Sequence, residues 1–212
     1  MSTTGAQTTD PSAQHPNQEV KREIIELVKM IALFLVLFLL LKTFVIEGYE
    51  VQGPSMFPTL EDGERILVLK LPLKLSHIPL FRGYQPVESG DIVVFESRDG
   101  ARKRYIKRVI AAGPKRGANT VSANAPGEGV LVEFDLGDIY VNHRRIDQDY
   151  LVPEERESPD VDEETLEAGE YYVLGDHRSL SKDSRSFGPV DETQIIGTAF
   201  LRFWPLSKFG LF

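Results

Sequence analysis

With 212 residues, of which 26% are charged and 42% hydrophobic, the chain has the composition of a globular protein of one or two domains. It has no cysteine, which excludes a disulfide, a thiol nucleophile and a thiolate metal site. Its formal net charge of −8 would repel phosphate, so nucleic acid is not expected as a partner.

Residues 1–18 are rich in Ser, Thr, Gln, Asn and Pro and poor in large apolar residues, which predicts a disordered tail. Met30–Leu41 is then uncharged and apolar throughout, and Phe44, Val45 and Ile46 continue it past Lys42 and Thr43. A membrane-spanning helix needs ~20 apolar residues, with ~17 at the lower end. Met30–Ile46 reaches that length if Lys42 snorkels to the interface. Leu and Phe on every face argue against the core helix of a soluble protein. The bulky Thr43-Phe44-Val45-Ile46-Glu47 offers no small-residue cleavage site, which argues against a removable leader. Residues 19–47 are therefore expected to form an anchor helix. Lys21, Arg22 and Lys29 precede its apolar stretch, and Glu47 and Glu50 follow it. That bias puts the tail in the cytoplasm and residues 48–212 outside the inner or plasma membrane.

Beyond the anchor, short runs rich in Val, Ile, Tyr and Phe alternate with Gly and Pro. They are Arg65–Leu69, Asp91–Phe95, Tyr105–Ile110, Val130–Phe134, Ile139–Val141 and Tyr171–Leu174. This spacing predicts a mainly β domain. Asp99-Gly100 carries the signal of a tight hairpin, and the proline-bearing Leu71–Pro86 predicts an irregular loop. The acidic stretch Asp147–Glu170 reads as a solvated loop or hairpin. Phe200–Phe212 is strongly aromatic, either as strand and core or as an apolar patch at a lipid–water boundary.

Two residues carry the candidate chemistry. In a strand, Tyr105, Lys107 and Val109 share one face, and Arg104 and Arg108 point to the other. An amine between an aromatic ring and a valine loses hydration, which favours the neutral form that can accept a proton. Ser55 sits between Pro54 and, three residues on, Pro58, on a loop that both prolines stiffen. Each residue alone has a bland reading, a turn serine and a basic surface strand. Together they meet what an activated hydroxyl requires, a nucleophile and a base. Gly53-Pro54-Ser55-Met56-Phe57 lacks the second glycine of a nucleophile elbow. A third segment, Gly175–Gly188, is dense in hydrogen-bonding groups. Its Asp176 and His177 are too few for a metal site, and neither metal nor cofactor is expected.

Four blocks, in order and behind the anchor, resemble the bacterial type I signal peptidases. They are Ser55–Leu60, Gly90–Phe95, Tyr105–Val109 and Gly175–Gly188. The resemblance extends from the anchor to the C-terminus, apart from insertions at 117–130 and 147–170. It implies coiled antiparallel sheets behind the transmembrane helix, and a membrane-bound serine endopeptidase that removes signal peptides from preproteins. Ser55 would be the nucleophile and Lys107 the general base. Ser181 would hydrogen-bond and orient the lysine amine, and Asp183 and Arg185 would shape the loop. The Ser55 backbone N–H would serve the oxyanion hole. A second donor near Gly53 is open, since some family members carry a serine there and Pro54 has no N–H. His177 stands where asparagine is commoner. The implied partners are Ala-x-Ala signal peptides, membrane lipid and a neighbouring secretion machinery. Two other readings remain, a self-cleaving peptidase of similar fold, normally soluble, and a catalytically silent tethered β-domain.

Overall fold

The computed structural model describes residues 16–76, 78, 80, 84–98, 103–116, 129–155 and 162–212. The expected tail lies outside the described residues up to residue 15, as does the Asp99-Gly100 turn. The chain divides into two compact units, one ending at Lys42 and one running from Thr43 to Phe212.

In the first unit, helix α1 (Pro16–Leu40) starts at Pro16, earlier than residue 19, and a wider turn follows at Leu41–Val45. Val20–Val45 is long and apolar enough to cross a membrane, with a mean hydropathy of 2.8 and none of its most apolar window buried. Phe34 and Phe38 stack on one face, with ring centroids 6.3 Å apart. From Met30 onward, apolar side chains on every face leave the helix no polar side to turn to water.

The second unit is β1 (Ile46–Glu50), β2 (Arg65–Leu69), α2 (Leu71–Ser76), β3 (Ile92–Glu96), β4 (Arg104–Ala112), β5 (Val130–Asp135), β6 (Asp138–Val141), β7 (Arg144–Arg145), β8 (Glu164–Leu166), β9 (Glu170–Leu174), α3 (Ser184–Phe187), β10 (Val190–Asp191), β11 (Ile195–Trp204) and β12 (Gly210–Leu211). All pairings are antiparallel. One sheet runs β1-β2-β11-β3-β4-β9-β10, with β12 beside β11, and a smaller one runs β7-β6-β5-β8. The domain is mainly β.

Two expectations need correction. Leu71–Pro86 is not irregular throughout, since Leu71–Ser76 is helical. Pro72 is in its first turn, where a missing N–H breaks no helical bond. The acidic stretch is not merely solvated either. Gln148 and Leu151 are buried, and β8 adds a strand to the small sheet through β5.

The large sheet curls. β1 and β4 are four places apart in strand order, yet both line one groove of about 650 Å³. Arg104 on β4 donates to the Glu47 carboxylate and the Tyr49 hydroxyl of β1, each at 3.3 Å. The β1 edge opposite β2 has no strand partner among the described residues. Beneath the groove, Val51, Met56, Leu60, Ile66, Val68 and Val94 form a continuous apolar cluster.

Candidate active site

Ser55 belongs to a loop with a stiff approach and two buried anchors. Gly53 adopts φ +82°, a conformation that favours glycine. Its N–H donates to Asp62 Oδ1 at 2.6 Å. Beyond the serine, Met56 and Leu60 are buried in the cluster below the groove. The loop is therefore fixed to the core on its C-terminal side, and Ser55 is left at the groove wall.

Lys107 lies in β4, with β3 on one side and β9 on the other; its backbone position faces Val93. It is only 2% exposed. Its ammonium nitrogen lies 5.8 Å from the Tyr105 ring centre, the neighbour that strand alternation assigns to its face. Nζ donates to Ser55 Oγ at 2.7 Å and to the Ile106 carbonyl at 2.9 Å. Burial pulls its pKa down from 10.5 to about 8, against the opposing pull of the Asp183 and Asp176 carboxylates. An amine of that acidity has an appreciable neutral fraction near physiological pH. A neutral amine bonded to a hydroxyl can take its proton, so the pair is chemically equipped for nucleophilic attack.

Gly175–Gly188 meets the Ser55 loop directly. A Cβ on Gly175 would collide with Ser181 Oγ and the Ser55 carbonyl oxygen, so the close approach needs glycine. The His177 N–H donates to that Ser55 carbonyl at 3.1 Å, and its ring Nδ1 donates to the Pro54 carbonyl at 3.2 Å.

Ser181 differs from expectation. Its Oγ is buried and makes no hydrogen bond, so the implied bond to the Lys107 amine is not formed. The amine's donors go to Ser55 and Ile106 instead, while Ser181 rests against Gly175. Asp183 and Arg185 are drawn together but hydrogen-bond neither Ser55 nor Lys107. Asp183 is fully buried and caps α3; its Oδ2 accepts from the Gly175 N–H at 3.0 Å. Arg185 donates to Asp183 Oδ1 and Oδ2, both at 2.9 Å, and to the Arg178 carbonyl at 2.7 Å. The Gly53 N–H, committed to Asp62, is not free to stabilise an oxyanion.

Sequence reasoning misses Arg108, which strand alternation places on the face away from Lys107. Its guanidinium binds Asp176 through two bonds of 2.9 and 2.7 Å and reaches Thr59 Oγ1 at 3.2 Å. It thereby ties the lysine strand, the serine loop and the last segment together. The acidic stretch supports the same junction. Arg178, itself buried, donates to Gln148 Oε1 at 2.7 Å and to the Tyr150 hydroxyl at 3.1 Å. The sequence offered a trace of this in arginines set among acids and amides, but not their pairing. Among the described residues no group of three or more His, Asp or Glu side chains is placed to hold a metal.

A family described as "Signal peptidase, peptidase S26" matches residues 24–204. Signal peptidase IB of Staphylococcus aureus (strain COL) is 32% identical over 206 residues, covering 90% of this chain and 94% of its own. Signal peptidase I of Bacillus licheniformis is 31% identical over 197 residues, covering 89% and 92%. A crystal structure of a signal peptidase I from Enterococcus faecalis V583 is 26% identical and overlaps 54% of this chain and 97% of its own, with a TM-score of 0.41.

Proposed function

The chain belongs to the signal peptidases of the peptidase S26 family, and on that premise we propose that it is a membrane-anchored endopeptidase cleaving preproteins with Ser55 as nucleophile and Lys107 as general base. The observation that carries this reading is the 2.7 Å contact between a buried lysine amine and the Ser55 hydroxyl. Neutral Lys107 takes the hydroxyl proton as Oγ attacks the scissile carbonyl. The tetrahedral oxyanion is stabilised by the Ser55 N–H and a second donor other than the Gly53 N–H. Lys107 then gives its proton to the leaving amine, and water, activated by the same amine, releases the acyl group.

Substrate would lie extended in the groove between β1 and β4, pairing with the free β1 edge as an added strand. Gly48, Val51 and Met56 are among the groove's lining residues, in keeping with small side chains three residues and one residue before the cut. The apolar helix Val20–Val45 is the proposed single-pass anchor, with its start in the cytoplasm and the catalytic domain outside, close to emerging preproteins and the secretion machinery. The test is cleavage of a preprotein carrying an Ala-x-Ala site. Ser55→Ala is expected to abolish the cut, and replacing either alanine of the site with a bulky residue should reduce it strongly. Cleavage by Ser55→Ala at the wild-type rate would refute the assignment of the nucleophile.

A further inference from the structure

Both ring nitrogens of His177 face groups that only accept hydrogen bonds. Nδ1 meets the Pro54 carbonyl at 3.2 Å, and Nε2 lies 3.1 Å from Glu155 Oε1. Carbonyl and carboxylate oxygens have no proton to give; the one N–H of a neutral imidazole serves one of these contacts, and the two N–H groups of an imidazolium serve both. The main-chain N–H of the same residue holds the Ser55 carbonyl at 3.1 Å. One residue thus grips two consecutive carbonyls of the nucleophile loop. The Pro54 carbonyl also accepts the Phe57 N–H at 3.0 Å, and the Phe57 ring centre stands 6.0 Å from the imidazole.

Glu155 is equally restrained. It accepts from the Ser179 N–H at 3.1 Å and from Ser179 Oγ at 3.2 Å, and its side chain is 11% exposed. It belongs to the short turn Pro153–Glu155 within the acidic stretch. The other nearby acid, Asp176, is taken up by Arg108.

We propose that Glu155 and His177 form a positioning clamp, through which the acidic stretch fixes the Ser55 loop against Lys107. This inference rests on the Ser55/Lys107 reading. Neither residue lines the substrate groove, so the clamp acts on placement of Oγ and not on substrate binding. A misplacement of 1 Å can cost about 100-fold in rate. Met56 and Leu60 still anchor the loop when the clamp is gone, so the loss should be smaller.

The test uses the full chain in detergent with a preprotein substrate. His177→Ala is expected to lower kcat about tenfold, with KM within about twofold. His177→Asn should regain only part of that rate, reaching about the level of Glu155→Ala, because its amide nitrogen occupies the place of Nδ1 while nothing replaces Nε2. Glu155→Ala should lower kcat about fivefold in the wild type but less than about twofold in either His177 variant, as expected of partners in one contact. Hydrogen exchange at the Phe57 amide should quicken in His177→Ala and return in His177→Asn, whatever the chemistry at Lys107. An unchanged kcat in His177→Ala would overturn the clamp. So would independent, multiplicative effects of Glu155 and His177, or a loss as deep as that of Lys107→Ala, which would assign His177 to the chemistry. Lys107→Ala run alongside keeps the two readings apart, since activity there defeats the dyad whatever His177 does.

Discussion

Lys107 is a basic side chain placed where a basic side chain is poorly solvated. Folding depresses its pKa from 10.5 to about 8, mainly through burial. The unfolded chain therefore holds this proton more tightly than the folded one. Below about pH 8 both states are protonated and the full cost of burying the charge, about 3 kcal/mol, is present. That cost is relieved as the pH rises from 8 towards 10.5. Two outcomes follow. Activity should climb with pH to a limb near 8, the point at which half the amine becomes available as base. Lys107→Met should be inactive yet melt several degrees higher than the wild type at pH 7, with the gap closing by pH 10; an equal or lower melting temperature at pH 7 would show that the charge is better solvated than its burial suggests. Strand alternation around Tyr105 and Val109 made the apolar setting of Lys107 readable in the sequence. The Ser181 hydroxyl was not readable in the same way. Its position depends on which neighbours claim the lysine's donors, and those are set by contacts from distant segments.

At the scale of elements, three segments far apart in sequence converge on one junction, and a glycine lets them meet. Gly175→Ala would drive a methyl group into Ser181 Oγ and the Ser55 carbonyl oxygen. We expect that variant to lose about 100-fold in kcat and to melt lower, as measured by preprotein cleavage and thermal unfolding. Wild-type activity in Gly175→Ala would mean that the Ser55 loop tolerates displacement. Strands rich in Val, Ile, Leu and Phe, such as β2, β3 and β5, were legible in the sequence. The long central strand β11 was not, because two of its buried inward positions are Gly197 and Ala199, which carry almost no hydrophobic signal. β1 was hidden for a different reason: Ile46 continues the apolar run of the anchor, so the helix was expected to reach residue 47.

For the whole molecule, the four ordered blocks and the anchor made the family legible, whereas the buttress of residues 147–155 rests on pairings that local sequence does not encode. The aromatic C-terminal segment is strand in part, Phe200–Trp204 in β11 and Gly210–Leu211 in β12, but none of it belongs to the buried core. Trp204, Leu206, Phe209, Leu211 and Phe212 are all exposed, Trp204 by 50%. Such a group favours the lipid–water boundary. Trp204 is the sole tryptophan, so its fluorescence reports on this patch alone. In vesicles its emission should shift to the blue relative to a short-chain detergent and be quenched by shallow lipid quenchers; unchanged, water-exposed emission would contradict contact with the bilayer. Protease added outside spheroplasts should digest the domain after Ile46, and protection there would reverse the orientation inferred from the flanking charges. The most direct measurement compares cleavage of one preprotein by wild type and Lys107→Ala, both inserted in the same membranes at equal amounts. The account predicts a processed product with the wild type and none with Lys107→Ala. Processing by Lys107→Ala at most of the wild-type rate would contradict it.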